Sequence, residues 1–498
     1  MGLTPGVDEF ATAYNAGNNQ IVHTRLPADL DTPVSLMLKL TDASKFSFLL
    51  ESVTGGETRG RYSIVGMKPD LIWRCNNAVS EMNRSARFNP IEFKKEVGNP
   101  LDNLRSLIEE SQIDLPDDLP QAAAGLFGYL GYDMIRHVED LPNINPDPIG
   151  LPDSIFIRPS VIVVLDGVKS EVRVVAPAWV RDGQSAQAAY TQAAERVMDA
   201  VNDIAERVPP KDIDLRKSIS VSEPESNYTP EDYMAAVAKA KDYIQKGDIF
   251  QVVPSQRWKQ RFDAPPFSLY RSLRRYNPSP FMFFFNFGDF QVIGSSPEIL
   301  VRVFGQEVTI RPLAGTRPRG ASPQEDRALE TELLADTKER AEHLMLLDLA
   351  RNDVGRVAKV GTVQPTEKFI VERYSHVMHI VSNVVGEMSE GKSALDALFA
   401  GMPAGTVSGT PKVRAMEIID ELEPEKRGIY GGGVGYFSAG GDMDMCIALR
   451  TAILKENVLF VQAGCGVVHD SDERTEYEES LQKAKALFAA AQGDQTQF

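Results

Sequence analysis

F-M-F-F-F-N-F-G-D-F-Q-V-I-G-S-S-P-E-I-L-V-R-V-F-G-Q-E-V-T-I, residues Phe281 to Ile310, holds successive apolar runs with no room for a helix between them. Phe281 to Phe287, Gln291 to Ile293, Ile299 to Val303 and Val308 to Ile310 read as strands, separated by turn chemistry at Gly288-Asp289, Ser295-Ser296-Pro297 and Gly305-Gln306. Strands joined by such short turns run antiparallel, because a parallel pair needs a crossover of about a dozen residues or more. Similar runs lie at Phe46 to Leu50, Ser63 to Val65, Ser160 to Leu165, Val172 to Val175, Ile249 to Val253 and through the stretch ending at Val468. The expected class is α+β, with large antiparallel sheets covered by helices rather than a doubly wound fold.

Working outward, helical patterns cover Leu101 to Ser111 and Ala186 to Arg207. Thr229 and Pro230 open another helix, which Gly247 stops. Ser322-Pro323 with Glu325 starts a further one, which continues across a break at Asp336-Thr337. Ala394 to Phe399, Pro411 to Asp420 and the segment carrying Tyr477, Leu481, Ala484 and Phe488 complete the set. Gly-aromatic alternation from Ala124 to Tyr132 fits core packing or strands passing close to a second sheet. The polar, proline-containing segment 208–229 reads as a linker. The chain divides accordingly into an arm at 1–30 expected to fray, an α+β region at 31–207, that linker, a main region at 230–490 and a tail at 491–498.

The helix Lys338 to Asp353, K-E-R-A-E-H-L-M-L-L-D-L-A-R-N-D, places Glu339 and Glu342 on the face of Leu346 and Leu349. Carboxylates on an apolar stripe call for a cation, either a metal or a basic side chain. A second Glu-x-x-Glu pair, Glu476 and Glu479, opens the last helix; alone, such a pair is ordinary on a solvated face. If the two helices face each other, four carboxylates surround one small volume, and oxygen ligands of that kind suit Mg²⁺ rather than zinc.

Gly315-Thr316 and Gly464-Cys465-Gly466 follow strands and offer bare backbone N–H groups, though each alone fits a tight turn. With Arg450, a cation on an apolar alternating strand, they point to a pocket for a small carboxylate. Glu298, after a strand and Pro297, reads either as a general acid or as an exposed turn residue. His376 and His379 have the apolar neighbours of core histidines. No G-x-G-x-x-G opens a helix after a strand, and Gly405 to Lys412 lacks the spacing of a nucleotide-binding loop.

With 498 residues, 43% of them hydrophobic, the chain can bury a large core. A formal charge of −17 argues against nucleic acid and anionic membrane as partners. Cys75, Cys446 and Cys465 are widely spaced packing residues, as in a reducing compartment, and no segment approaches the length of a membrane span. A cytoplasmic location is expected.

E-H-L-M-L-L-D-L-A-R-N-D from Glu342, P-L-A-G-T-R-P-R-G from Pro312, P-A-G-T-V-S-G-T-P-K from Pro403, Y-G-G-G-V-G-Y-F from Tyr430 and V-Q-A-G-C-G-V-V from Val461 together resemble the chorismate-utilising enzymes. The resemblance spans nearly the whole chain and is closest to the ammonia-using members that form anthranilate, the first step of tryptophan biosynthesis. It implies an α/β sandwich of two large, mainly antiparallel sheets with helices outside. It also implies Mg²⁺ held by Glu342 and Glu479, with Glu339 and Glu476 supporting it through water. Gly315, Thr316, Tyr430, Arg450, Gly464, Cys465 and Gly466 match positions that hold the carboxylates of chorismate. Glu298 matches the acid that protonates the departing C4 hydroxyl, His379 the histidine of the elimination step, and Thr406 a residue beside the reacting centre.

Members that add water carry a lysine base where this chain has Gln251, and members that form aminodeoxychorismate carry a nucleophilic lysine where it has Ala314. Leu50, Glu51, Ser52, Pro280, Phe281, Met282, Val434 and Tyr436 match the tryptophan feedback site, Phe281 standing where many members have tyrosine. Ammonia is expected from a separate glutamine amidotransferase subunit, making a hetero-oligomer. The rival expectations are an aminodeoxychorismate-forming subunit and a non-catalytic, tryptophan-binding paralogue.

Overall fold

The computed structural model describes the chain except for Met1, residues 42–44, 53–59 and 143–144, Arg207, and residues 209–221, 375–376 and 494–498. Most of the expected linker, His376 and the end of the expected tail therefore lie outside the described residues. Two long strands, Tyr62–Asn76 and Ser154–Asp166, tie the architecture together. They pair antiparallel along their length, with a register shift between Pro69 and Leu71, and each half belongs to a different sheet.

In the first sheet, Tyr62–Asn76 pairs through its N-terminal half with Ser47–Glu51, and the ladder continues through Phe281–Asn286, Phe290–Ser296, Thr451–Lys455, Val458–Gly464 and Ser255–Arg261. Across the other long strand it extends to Glu171–Ala178 and Gln20–Pro27. The second sheet runs from Val79–Asn83 across the long pair to Gly125–Leu130, Gly433–Ser438, Met443–Ile447, Ile299–Phe304, Glu307–Ile310, Val377–Glu387 and Gln364–Arg373. All these ladders are antiparallel. Ladders on both sheets join strands from either side of residues 208–229.

Strand alternation sorts the side chains into layers. Phe48, Ile64, Phe283 and Phe285 from the first sheet meet Ile72, Phe127, Ile157 and Val434 from the second in an inter-sheet core. Their neighbours Leu49, Val65, Met282 and Phe284 face the opposite way, onto helices Ala186–Ala205, Pro266–Tyr276 and Glu473–Gln492. Helices Pro100–Glu110, Thr337–Gly355 and Ala394–Gly401 cover the outer face of the second sheet. The two-sheet sandwich expected from the sequence is present.

The helix signals match closely. Thr229 caps Pro230–Lys246 and Gly247 closes it in the left-handed conformation. Asp336 ends Pro323–Ala335 and caps Thr337–Gly355, accepting from the Lys338 and Glu339 amides.

Two expectations are corrected and two unassigned strands are added. The described part of the arm does not fray: Val7–Asn15 is a helix burying Phe10 and Tyr14, and Gln20–Pro27 pairs with Glu171–Ala178. Arg450 is not on a strand but on the turn before Thr451–Lys455, with φ 48. Gln364–Arg373 and Val377–Glu387 are strands that the sequence left unassigned; the first is polar and largely exposed, so it lacks an apolar alternation.

Candidate active site

Glu298 sits in the turn between strands Phe290–Ser296 and Ile299–Phe304, and the Ile447 amide donates to its carbonyl at 3.0 Å. Its side chain is buried, with 5% exposure, so the exposed-turn alternative fails. Thr406 Oγ1 donates to the carboxyl group and lies 3.2 Å from each oxygen. Burial raises the carboxyl to about 8, against the opposing pull of Thr406, the Leu313 amide, Arg450 and Lys483. At neutral pH the group is largely protonated, the state a general acid requires.

His379 lies on Val377–Glu387, opposite Thr316 in the register. Its Nδ1 is 3.2 Å from the Gly315 carbonyl and 3.0 Å from Thr316 Oγ1. Burial, then the Arg450 charge, lowers this histidine to about 4, so it is neutral at physiological pH. A proton on Nδ1 directed at the carbonyl leaves Nε2 as an acceptor. The positive φ of Arg450 fixes where that side chain leaves the backbone. Among the described residues Arg450 has no ion-pair partner; burial lowers its guanidinium, while Tyr374 and Glu298 pull it up.

The carboxylate pairs converge only in part. Among the described residues, no three His, Cys, Asp or Glu side chains form a group that could hold one ion. Glu339 is drawn aside by Arg317 at 3.2 Å, and Glu476 is buried against Ser471 and Cys465. Glu342 lies within electrostatic reach of Glu479 on the other helix, and Glu479 itself pairs with Lys483 at 2.7 Å. Burial and then the Glu339 charge raise the Glu342 carboxyl, with Glu479 adding to the effect. This is the field that a cation relieves. Two carboxylates with other oxygens completing the shell also suit Mg²⁺, which commonly uses one or two protein carboxylates.

The backbone cradle explains two glycines. Gly315 has φ +75, and a Cβ there would lie 3.2 Å from Glu339 Oε2. A Cβ on Gly466 would lie 2.7 Å from Gln251 Nε2, the atom that donates to Glu342 Oε1 at 3.3 Å. Gln251 itself is buried on the short strand Gln251–Val252, paired with Gly409–Thr410, and its Oε1 has no hydrogen-bond partner among the described residues. Tyr430 is buried under the charge of Arg427, and Cys465 is fully buried against Tyr233 with its thiol pushed up by burial.

Sequence reasoning missed Lys483, whose Nζ lies 2.7 Å from Glu479 and donates to the Gly464 carbonyl at 3.1 Å. Its i, i+4 spacing from Glu479 was the available signal. It also missed His343, fully buried and 2.7 Å from Ser382 Oγ, which anchors the helix beside Glu342 to the second sheet.

A cavity of about 530 Å³ opens between the sheets and is lined by all eight residues matched to the feedback site. Register explains the grouping, since Met282 pairs with Glu51 and Phe283 with Leu50. The Glu51 carboxylate is occupied by Tyr270 and by Arg274 at 2.5 Å. Pro297, Glu298 and Ile299 line the same cavity, so its wall includes the turn that carries the acid.

A buried carboxyl within electrostatic reach of Arg450 and Lys483, beside two carboxylate-bearing helices, is the arrangement expected of enzymes acting on chorismate. The sequence profile described as chorismate binding enzyme matches residues 48–489, and the chain belongs to that family. It is 69% identical to anthranilate synthase component 1 of Cereibacter sphaeroides over 97% of each chain. To the Pseudomonas putida component 1 it is 48% identical, over 98% of this chain and 99% of the relative. The crystal structure of anthranilate synthase component I from Streptococcus pneumoniae matches with TM-score 0.76 at 37% identity, over 93% of this chain and 98% of that one. The menaquinone-specific isochorismate synthase of Escherichia coli, at TM-score 0.70 and 19% identity over 96% and 99%, shares the fold. Among the described residues, no helix is long and apolar enough to cross a membrane.

Proposed function

We propose that this chain is the aminating subunit that converts chorismate and ammonia to anthranilate and pyruvate, with ammonia supplied by a separate glutamine amidotransferase. The observation that carries the reading is the absence of lysine at the two discriminating positions. Gln251, hydrogen-bonded to Glu342, stands where water-adding relatives have their base, and buried Ala314 stands where a covalent adduct would form. Neither side chain can deprotonate water or attack the ring. The 69% identity to a component 1 over nearly the full length supports the same conclusion.

In this reading Arg450, Tyr430, Lys483 and the Gly464 to Gly466 backbone hold the substrate's carboxylates. Mg²⁺, when held by Glu342 and Glu479, supplies positive charge for the ring carboxylate. Protonated Glu298 gives its proton to the C4 hydroxyl as ammonia adds at C2, and Thr406 keeps the carboxyl oriented. Gln251 Oε1 is a free acceptor for an N–H of the incoming ammonia. Neutral His379 serves the elimination of pyruvate by accepting a proton at Nε2.

Incubation with chorismate, Mg²⁺ and ammonium is expected to yield fluorescent anthranilate and pyruvate. Release of 4-amino-4-deoxychorismate without anthranilate would reject the assignment, as would tryptophan binding with no turnover.

The 530 Å³ cavity, walled by apolar and aromatic residues, is read as the tryptophan site. Tryptophan seated against Pro297 and Ile299 bears on the turn that positions Glu298, a direct route to inhibition if it favours a displaced turn. Ser52→Phe, which intrudes on the cavity away from the substrate, is expected to weaken tryptophan inhibition about tenfold or more while kcat stays within about twofold. Equal sensitivity in variant and parent would remove the site.

A further inference from the structure

A second pocket shares no residue with the site described above. It lies where the Ala186–Ala205 helix meets the turn after Val79–Asn83 and the connection after Glu171–Ala178. Its lining includes Arg84, Arg87, Arg181 and Arg196, with Asp70 and Trp179.

The local charges do not cancel. Asp70 is buried and accepts from Arg158 at 3.0 Å and from Arg181 at 2.9 Å. Glu110 takes Arg84 through two contacts of 2.6 Å. Those two carboxylates are shared among three guanidinium groups, which leaves Arg87 and Arg196 in surplus. Glu96 acts on Arg84 from farther away, and Arg196 has the Pro177 carbonyl, at 3.1 Å, as a neutral partner. In a chain of net charge −17, this concentration of positive charge is local.

Two donors in the same wall are orphaned. Arg196 Nε and Trp179 Nε1 are both shut off from solvent without a hydrogen-bond partner among the described residues. Trp179 is 8% exposed, its ring stacked against the Arg158 guanidinium at 4.2 Å. Buried donors left unpaired are costly, and several cations facing one another add repulsion. Burial, with Arg87 and then Arg181 adding to it, lowers Arg196 to about 10 against the pull of Asp70. An acceptor carrying negative charge relieves both terms at once.

We propose that this pocket binds a small tetrahedral oxyanion, either free phosphate or the phosphate group of a phosphomonoester. The volume agrees: 70 Å³ is several times the ~10–15 Å³ that a single water requires. It admits the phosphate and leaves a sugar or other substituent outside. Guanidinium groups match such an anion through paired N–H donors, and the indole N–H supplies one more.

The full chain is titrated with inorganic phosphate and, separately, with ribose 5-phosphate at constant ionic strength, by calorimetry and by tryptophan fluorescence. Saturable one-to-one binding of either is expected; tighter binding of phosphate identifies the free ion as the ligand, and tighter binding of the sugar phosphate identifies the ester. R196Q and R87Q are each expected to weaken binding about tenfold or more. Arg87 is exposed, so R87Q tests the site without disturbing the core. W179F keeps the ring and removes the N–H, and is expected to weaken binding while abolishing most of the fluorescence response. Absence of saturation with both ligands, or parental affinity in both R87Q and R196Q, overturns the proposal.

Discussion

Glu298→Gln is expected to lower kcat by about 10²–10⁴-fold, or about 3–5 kcal/mol of transition-state stabilisation, with little change in KM. Glutamine has the shape of the carboxylic acid and can still accept from Thr406, which lies 3.2 Å from each carboxyl oxygen. What it lacks is an acidic proton. The parent enzyme is expected to lose activity as pH rises through about 8, where Glu298 ionises. The same limb is expected to be missing from the residual rate of the variant. Stability follows the same direction as activity. A carboxyl raised in the folded state binds its proton more tightly there than in the unfolded chain, so it favours the fold fully below its ordinary value. That contribution is lost as pH climbs through about 8. Glutamine never charges, so at pH 8 the variant is expected to melt no lower than the parent. An inactive protein of lowered Tm would mark a folding defect instead, and a variant with parental kcat would end the general-acid assignment.

Glu342→Gln and Glu479→Gln are each expected to abolish Mg²⁺-dependent turnover, by about 100-fold or more, because a direct ligand matters at least as much as the outer-shell groups whose loss costs 10–100-fold. The two variants differ in what remains. Glu342 is half-buried and pressed by Glu339 and Glu479, so neutralising it removes repulsion and is expected to leave the fold intact or firmer. Glu479 is half-exposed and holds Lys483 at 2.7 Å, so its loss also frees a cation beside the pocket. Glu339→Gln is expected to have the smaller effect, since Arg317 already neutralises that carboxylate. Activity against Mg²⁺ concentration provides the measurement. Unchanged activity and metal dependence in both Glu342→Gln and Glu479→Gln would dismiss the metal assignment.

Strand and helix signals written within a few residues were legible because local physics sets them. Thr229, Pro230 and Gly247 bound a helix through a capping hydroxyl, a fixed φ and a left-handed stop. Phe281 to Ile310 forces antiparallel pairing through turn length alone. The chemistry of the site was legible in residue types, acids on an apolar helix face and glycines after strands. Environment was not. On sequence alone Glu298 slightly favoured an exposed turn, and only its burial in the folded chain, against the pull of Thr406 and the Leu313 amide, turns a carboxylate into a held acid. The N-terminal arm was misread because its helix and strand bury Phe10 and Val22 against partners more than a hundred residues away.

By itself, then, the sequence determined most of the elements, their antiparallel pairing where short turns join them, and the inventory of acids, cations and bare amides, since each depends on neighbours along the chain. Tertiary structure alone decided that Arg317 pairs with Glu339 and Lys483 with Glu479, which arginines are left without a carboxylate, and that the 530 Å³ cavity and Glu298 share a wall. Charge balance and burial are sums over groups brought near by folding, and spacing along a chain does not contain those sums.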